Sequence, residues 1–169
     1  MEPNLELLLQ INHNKVPKYL SQDHLQPLVE DRLIILINVR QYDALLNYSK
    51  EAKEKLEKIG SLYSSRQTEL LYKNRDLRRA KEELSELKSK KVSFFDAFLS
   101  DNHSKKINSA KSVYDALKEE CASINEALNY LTSKQNKYLI MIEDVKLYSI
   151  TPVGYAKLTE KGMNLLKQK

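Results

Sequence analysis

A seven-residue repeat of apolar positions runs through the middle of the chain and predicts long helices packed as a coiled coil. In the first stretch the seam positions are Leu56, Tyr63, Leu70, Leu77 and Leu84, alternating with Ala52, Ile59, Arg66, Lys73, Ala80 and Leu87. A later stretch repeats the pattern at Ala110, Leu117, Ile124, Leu131 and Tyr138, alternating with Ile107, Tyr114, Cys121, Leu128, Gln135 and Ile142. Neither glycine nor proline occurs in the 91 residues between Gly60 and Pro152, so long helices are expected there.

The segment that separates the two stretches is SDNHSKK, residues 100–106. Ser, Asp and Asn favour caps and turns because their side chains compete for backbone hydrogen bonds. We therefore expect an antiparallel hairpin over residues 40–144 with its tip near 100–106. Its first helix would exceed the second by about five turns. Either Gly60 breaks that helix, or residues 41–59 extend beyond the partner helix as a candidate dimer contact.

The two ends of the chain have a different pattern. Residues 33–39, LIILINV, are apolar and β-branched and predict a short strand, and the partly alternating residues 145–150, VKLYSI, predict a second. The remaining C-terminal residues are mostly helical in composition. The sequence thus predicts a mainly α fold, in which residues 1–39 and 145–169 form a small head and a coiled-coil hairpin lies between them.

Two fragments of this head resemble halves of a winged-helix domain. LQPLVEDRLI, from Leu25, is similar to the end of the family's recognition helix, LxxLxxxGLI, which leads into the first wing strand. YSITPVGYAKL, from Tyr148, resembles the second wing strand and closing helix, YxLTxxGxxxL, with Thr151 and Pro152 opening that helix. The upstream segments NLELLLQI and VPKYLSQ would be the first two helices. The resemblance implies a wing whose two strands carry the helical hairpin between them.

The chain departs from the family pattern at two positions and leaves one register open. Arg32 stands where the family has the glycine that ends the helix in a left-handed turn. Pro27 falls inside the expected recognition helix. In the alternative register, Thr151-Pro-Val-Gly154 is a hairpin turn, and Tyr155-Ala-Lys-Leu-Thr-Glu-Lys-Gly162 becomes the YxLTxxG match.

DNA contacts are what the resemblance implies for residues 21–31. The polar candidates for the major groove are Ser21, Gln22, His24 and Gln26, with Lys18 placed for phosphate and Lys146 and Lys157 adding a local basic face. Residues 1–39 hold three bases and five acids, whereas DNA binding depends on neutralising phosphates. A nearly neutral head also suits protein docking.

The hairpin has two further candidate surfaces. Arg75, Arg78 and Arg79 form a basic outer face beside Lys73 and Lys81, but Glu82 and Glu83 follow four residues after two of these arginines, which favours a solvated surface. The three phenylalanines are Phe94, Phe95 and Phe98, followed by Leu99. They either cap the seam or form a protein-binding site.

Composition narrows the class of protein. The 169 residues include only 3 glycines and 4 prolines, and the net charge is +5; turn-rich β folds are therefore excluded. The longest apolar run, Leu33–Ile37, is far short of the roughly 20 residues of a membrane helix. The acidic N-terminus is unlike a signal peptide, and the single Cys121, expected in the seam, fits a reducing, cytoplasmic compartment.

The chemistry-bearing residues indicate no catalytic site. The three histidines lie far apart and no glycine-rich phosphate loop is present. We therefore expect neither enzyme activity, nor a metal, a cofactor, a small-molecule substrate or a membrane. The sequence favours a DNA-binding protein, a transcriptional regulator that forms a homodimer through its long helices and acts on double-stranded DNA. The alternative is a coiled-coil adaptor or assembly subunit that binds proteins through its head and the phenylalanine segment.

Overall fold

A computed structural model describes residues 4–89 and 100–168 and shows a mainly helical chain with one small sheet. The elements are α1 (Leu5–Asn12), α2 (Gln22–Glu30), β1 (Ile34–Ile37), α3 (Val39–Ser89), α4 (Ser100–Lys146), β2 (Ser149–Thr151), β3 (Gly154–Leu158) and α5 (Glu160–Lys167). The chain divides into two compact units. One combines the residues up to Glu57 with those from Asn136 onward, and the other is Lys58–Gln135.

The Lys58–Gln135 unit is a hairpin of α3 packed on α4, and it confirms the coiled-coil prediction. The predicted seam positions are buried or half-buried except Arg66, which is exposed. The buried members are Ala80, Leu84, Ala110, Cys121, Ile124 and Leu128. Lys73, a seam position, reaches Glu120 of α4, with its Nζ 2.6 Å from Oε2. That hydrogen bond and the charge of Glu120 raise the pKa of Lys73, with smaller contributions from Asp76 and Glu69.

The structure decides two open points about the long helices. Helix α3 continues through Gly60 without a break. Residues 100–106, the expected tip, are helical and belong to α4. The prediction of a tip there is therefore wrong. Residues 41–59 are not an unpartnered extension, since Ser49 and Ala52 within them are buried. Phe94, Phe95, Phe98 and Leu99 lie outside the described residues.

The other unit contains a three-stranded antiparallel sheet in the order β1-β3-β2. The central strand β3 pairs with β1 from Ile34 opposite Leu158 to Ile37 opposite Tyr155, and with β2 from Ser149 opposite Ala156 to Thr151 opposite Gly154. One face of the sheet packs on α1, α2 and α5 around an apolar core. The buried residues of this core are Leu7, Leu8, Ile11, Leu20, Leu25, Leu28, Leu33, Ile34 and Ala156.

Three expectations for this unit need correction. The segment VPKYLSQ turns rather than forming a helix, with Pro17 at its start. The strands expected at 33–39 and 145–150 do not pair with each other, because β3 lies between them. Residues 154–158 are a strand rather than helix, so the alternative register is the correct one: Pro152 and Val153 form the turn between β2 and β3, and α5 starts only at Glu160.

Candidate nucleic-acid interface

Helix α2 is held in place by its apolar face and its two ends. Leu25 and Leu28 are buried in the core, so the opposite side of the helix faces solvent. At the N-terminus Ser21 and His24 form a capping box, in which Nδ1 of His24 lies 2.8 Å from the Ser21 hydroxyl and accepts from the Ser21 backbone N–H at 3.3 Å. Pro27 lies inside the helix, although proline normally breaks or kinks a helix.

The C-terminus of α2 ends in a left-handed turn centred on Arg32, which has φ +55°. The backbone N–H of Leu33 donates to the carbonyl of Leu28 at 2.8 Å, and that of Arg32 to Val29 at 3.0 Å. These are the bonds of a helix end that normally uses glycine at the left-handed position. The conformation expected for Arg32 from the family pattern is therefore present, and an arginine adopts it.

Helix α5 is anchored directly on this turn. The Thr159 side chain accepts from the Gly162 backbone N–H at 3.2 Å and donates to the carbonyl of Arg32 at 2.7 Å. Lys161 Nζ donates to the carbonyl of Asp31 at 2.9 Å. A Cβ on Gly162 would lie 2.2 Å from the Leu33 carbonyl oxygen, so only glycine fits without movement. The LTxxG motif thus fixes the end of α2 by contacts some 130 residues away along the chain.

The predicted DNA-contacting residues on and before α2 differ in whether their side chains already form hydrogen bonds within the protein. The side chains of Lys18 and Gln22 are exposed and have no hydrogen-bond or ion-pair partner within the described ranges. Ser21 and His24 are engaged in the cap. The Gln26 amide donates to Glu30 at 3.0 Å on the exposed side of the helix. Gln22 and Gln26, four residues apart, therefore share one exposed side of α2, whereas Ser21 and His24 form its cap.

Lys157 and Lys146 do not join that surface. Because side chains alternate along a strand and Ala156 faces the core, Lys157 lies on the opposite face of the sheet. Its Nζ donates to both carboxylate oxygens of Asp144, at 2.6 and 2.7 Å, and sits 4.8 Å from the Tyr148 ring centroid. Lys146 is exposed and paired with Glu143 at 2.6 Å. The local basic face expected from these two lysines is thus already neutralised by acids of α4.

The Lys157 face of the sheet is covered by aromatic contacts that sequence reasoning missed. Tyr155 of β3 stacks on Tyr42 of α3, with ring centroids 3.7 Å apart and an interplanar angle of 5°. Tyr42 also meets the edge of Tyr148 at 6.0 Å. The signal available in the sequence was the alternation Tyr155-Ala-Lys157, which marks a strand with two different faces.

Comparisons of the chain with known protein families, with curated proteins and with solved structures found no match. Within residues 4–89 and 100–168, no three His, Cys, Asp or Glu side chains are grouped so that they could hold a metal ion. In the same ranges, no helix is both long and apolar enough to span a membrane.

Proposed function

We propose that this chain is a DNA-binding protein, a transcriptional regulator whose α2 serves as the recognition helix of a winged-helix head. The observation that carries the proposal is the solvent-facing polar side of α2, followed at once by the antiparallel pair of β1 and β3. In the winged-helix arrangement the recognition helix enters the major groove and a wing of paired strands follows it. The left-handed Arg32 and the LTxxG contacts support the same assignment.

The contacts proposed for α2 follow from which side chains are free. Gln22, exposed in the first turn, reads an adenine edge through its amide. Lys18 precedes the helix and neutralises a phosphate. Gln26 joins the readout by exchanging its bond with Glu30 for one with a base. Ser21 and His24 keep the first turn in shape through the capping box.

We propose that a second copy of the chain binds the solvent-exposed face of α4 near the C-terminus of that helix. Ile140 and Leu147 lie two turns apart on this face and are 69% and 60% exposed. Both are uncharged, and homodimer interfaces are the most apolar class of protein contact. A dimer would present two α2 helices to successive half-sites of the duplex.

The variant Ile140→Ser/Leu147→Ser tests this interface by light scattering. We expect the variant to be monomeric where the unchanged chain is dimeric; equal masses would contradict this interface.

Selection from a randomised duplex library tests the proposed function. The unchanged chain should enrich a defined sequence, and the double variant Lys18→Ala/Gln22→Ala should lose that enrichment while keeping its helical circular dichroism. The matched control is Lys58→Ala/Gln67→Ala on exposed positions of α3, which should enrich the same sequence. Absence of any enriched sequence, or equal loss in both variants, would contradict the role given to α2.

The alternative function is an adaptor that binds another protein through the head. The exposed apolar side chains Ile140, Leu147 and Ile150 favour it, the last being 66% exposed. Apolar association resists salt, whereas binding to phosphates weakens steeply with it. An interaction of the chain that is unchanged between about 50 and 500 mM salt and abolished by Ile150→Ser would therefore favour the adaptor.

A further inference from the structure

Four lysines lie along one side of the hairpin in the Lys58–Gln135 unit. Seam positions follow one another in alternating steps of three and four residues. Each of these lysines directly follows a seam residue reached by a three-residue step: Lys81 after Ala80, Lys88 after Leu87, Lys111 after Ala110 and Lys118 after Leu117. In an antiparallel pair of helices these positions of both helices face the same side, because reversing one helix brings equivalent flanks together. We call these four residues the lysine flank.

The Lys73–Glu120 contact gives the heights of the four residues along the hairpin. With residues 73 and 120 level, Lys111 lies opposite about residue 82, next to Lys81, and Lys118 opposite about residue 75. Lys88 is the farthest from Lys118. At 1.5 Å per residue the row spans about 20 Å of the helix pair.

No acid of residues 4–89 and 100–168 forms an ion pair with the lysine flank. All four side chains are exposed, and none has an ion-pair partner in the part of the chain that the structure describes. Their nearest charged helical neighbours are Arg78, one turn from Lys81, and Asp115, which lies between Lys111 and Lys118 on α4. Five bases therefore face one acid on this side of the hairpin.

The opposite side of the hairpin carries acidic side chains, and most of these form ion pairs. The acids there directly precede a seam residue, at Glu69, Asp76, Glu83 and Glu120. Three of them are paired with bases of the hairpin: Glu69 with Arg66 at 2.6 Å, Asp76 with Arg79 at 3.9 Å, and Glu120 with Lys73 at 2.6 Å. On that side acids are paired with bases of the hairpin, whereas no ion pair among the described residues involves the lysine flank.

The surroundings of the lysine flank indicate a nucleic acid rather than a protein as its partner. The other positions on this side between the heights of residues 75 and 88 are Arg78, Ser85, Asn108 and Asp115, with no aromatic or large aliphatic side chain. Protein interfaces are built around such side chains, whereas phosphate binding requires only cations. A duplex carries one phosphate per about 1.7 Å of its axis, so about twelve phosphates of the two strands lie within a length of about 20 Å, and those on the near side suffice for four lysines.

We propose that the lysine flank binds the phosphate backbone of double-stranded DNA without regard to sequence. The proposal deepens the DNA-binding function, on which it rests, by assigning sequence-independent affinity to the hairpin and sequence choice to α2. Lysine suits this role because its ammonium group is a mobile point charge that meets phosphates without fixed geometry. Such contacts raise the rate of encounter and hold the protein near DNA of any sequence.

Salt-dependent binding to a random duplex, followed by fluorescence anisotropy, tests the proposal on the full chain. The variant has all four flank lysines changed to Gln. The matched control changes four exposed lysines elsewhere, Lys55, Lys58, Lys106 and Lys137, to Gln, so that both lose the same charge. We expect the slope of log K against log salt to fall by about 3–4 in the flank variant, at about 0.9 per phosphate. We expect a fall of less than about 1 in the control, and affinity at low salt should drop at least about tenfold in the flank variant alone.

The outcomes separate this proposal from the role of α2. Equal slopes in the two lysine variants would overturn the lysine flank, even if library selection still enriches a sequence. Flank-dependent binding with no enriched sequence would support the flank and reject α2 as a reader. Tighter binding of polyglutamate than of DNA at matched charge would assign the flank to an acidic protein and overturn the proposal. If both variants keep the helical circular dichroism of the unchanged chain, a difference in their DNA affinity or salt dependence is not caused by unfolding.

Discussion

At the scale of single residues, the turn that ends α2 is the most tightly determined part of the head. Arg32 adopts a left-handed backbone there, and Thr159 and Gly162 pack on the carbonyls of Arg32 and Leu33. The sequence predicted the left-handed position of Arg32 from the family pattern. It did not predict the Lys157–Asp144 pair, because periodicity assigns a residue to a face but not to a partner on another element.

The strain at Arg32 gives a stability prediction. A left-handed backbone costs a residue with a Cβ roughly 1–2 kcal/mol, and the greater freedom of glycine in the unfolded chain offsets about 0.5–1 kcal/mol of the gain. We expect Arg32→Gly to raise the free energy of unfolding by up to about 1 kcal/mol, measured by urea denaturation. Arg32→Ala is the control, since it removes the side chain and keeps the Cβ; an equal gain in that variant would attribute the effect to charge.

Replacing glycine by alanine should change the free energy of unfolding in opposite directions at Gly60 and at Gly162, which both lie in helices. A Cβ added at Gly60 would meet no atom within 4 Å, so Gly60→Ala should stabilise α3 by up to about 1 kcal/mol through helix propensity. Gly162→Ala should lower the free energy of unfolding by about 1–3 kcal/mol, because its Cβ would overlap the Leu33 carbonyl oxygen. Thermal and urea unfolding measure both. Shifts of the same sign would mean that α5 does not pack closely on the backbone of Leu33.

At the scale of elements, the heptad repeat predicted the hairpin because its seam is a local, periodic property of each helix. The pairing of strands is not local: β1 and β3 are separated by more than one hundred residues. The YxLTxxG motif fits the sequence in two registers, beginning at Tyr148 or at Tyr155. The second is correct, because residues 154–158 form a strand and Thr159 contacts Arg32, far away along the chain. Residues 100–106 are helical where the sequence predicts a turn, because the preference of Ser, Asp and Asn for turns is weak enough for a helix to include them.

The Lys73–Glu120 bond across the hairpin predicts a pH dependence. Its partner raises the pKa of Lys73 above 10.5, so the charged form is favoured in the folded state. The resulting stability is fully present below the unfolded value and is lost as the pH rises through the folded pKa. Lys73→Gln should therefore be less stable than the unchanged chain at neutral pH, and the difference should shrink toward zero above the raised pKa. A difference that stays constant across this range in urea unfolding would mean that packing, not charge, is responsible.

At the scale of the whole molecule, the distribution of charge matters more than its total. The net charge of +5 is modest, and residues 1–39 are slightly acidic, so α2 alone offers few phosphate contacts. The lysine flank supplies the missing cations within the Lys58–Gln135 unit. The sequence places the positive excess beyond residue 39, but only the pairing of the helices shows which lysines share a side and which acids are already engaged.

The central claim, that the chain binds DNA through α2 and the lysine flank, is tested by titrating a random DNA duplex with the unchanged chain. Fluorescence anisotropy follows binding at salt concentrations from about 20 to 200 mM. We expect binding at the lowest salt and a slope of log K against log salt equivalent to several phosphates, since non-specific affinity requires no knowledge of the preferred sequence. No binding at any of these concentrations would contradict the assignment of both α2 and the lysine flank to DNA.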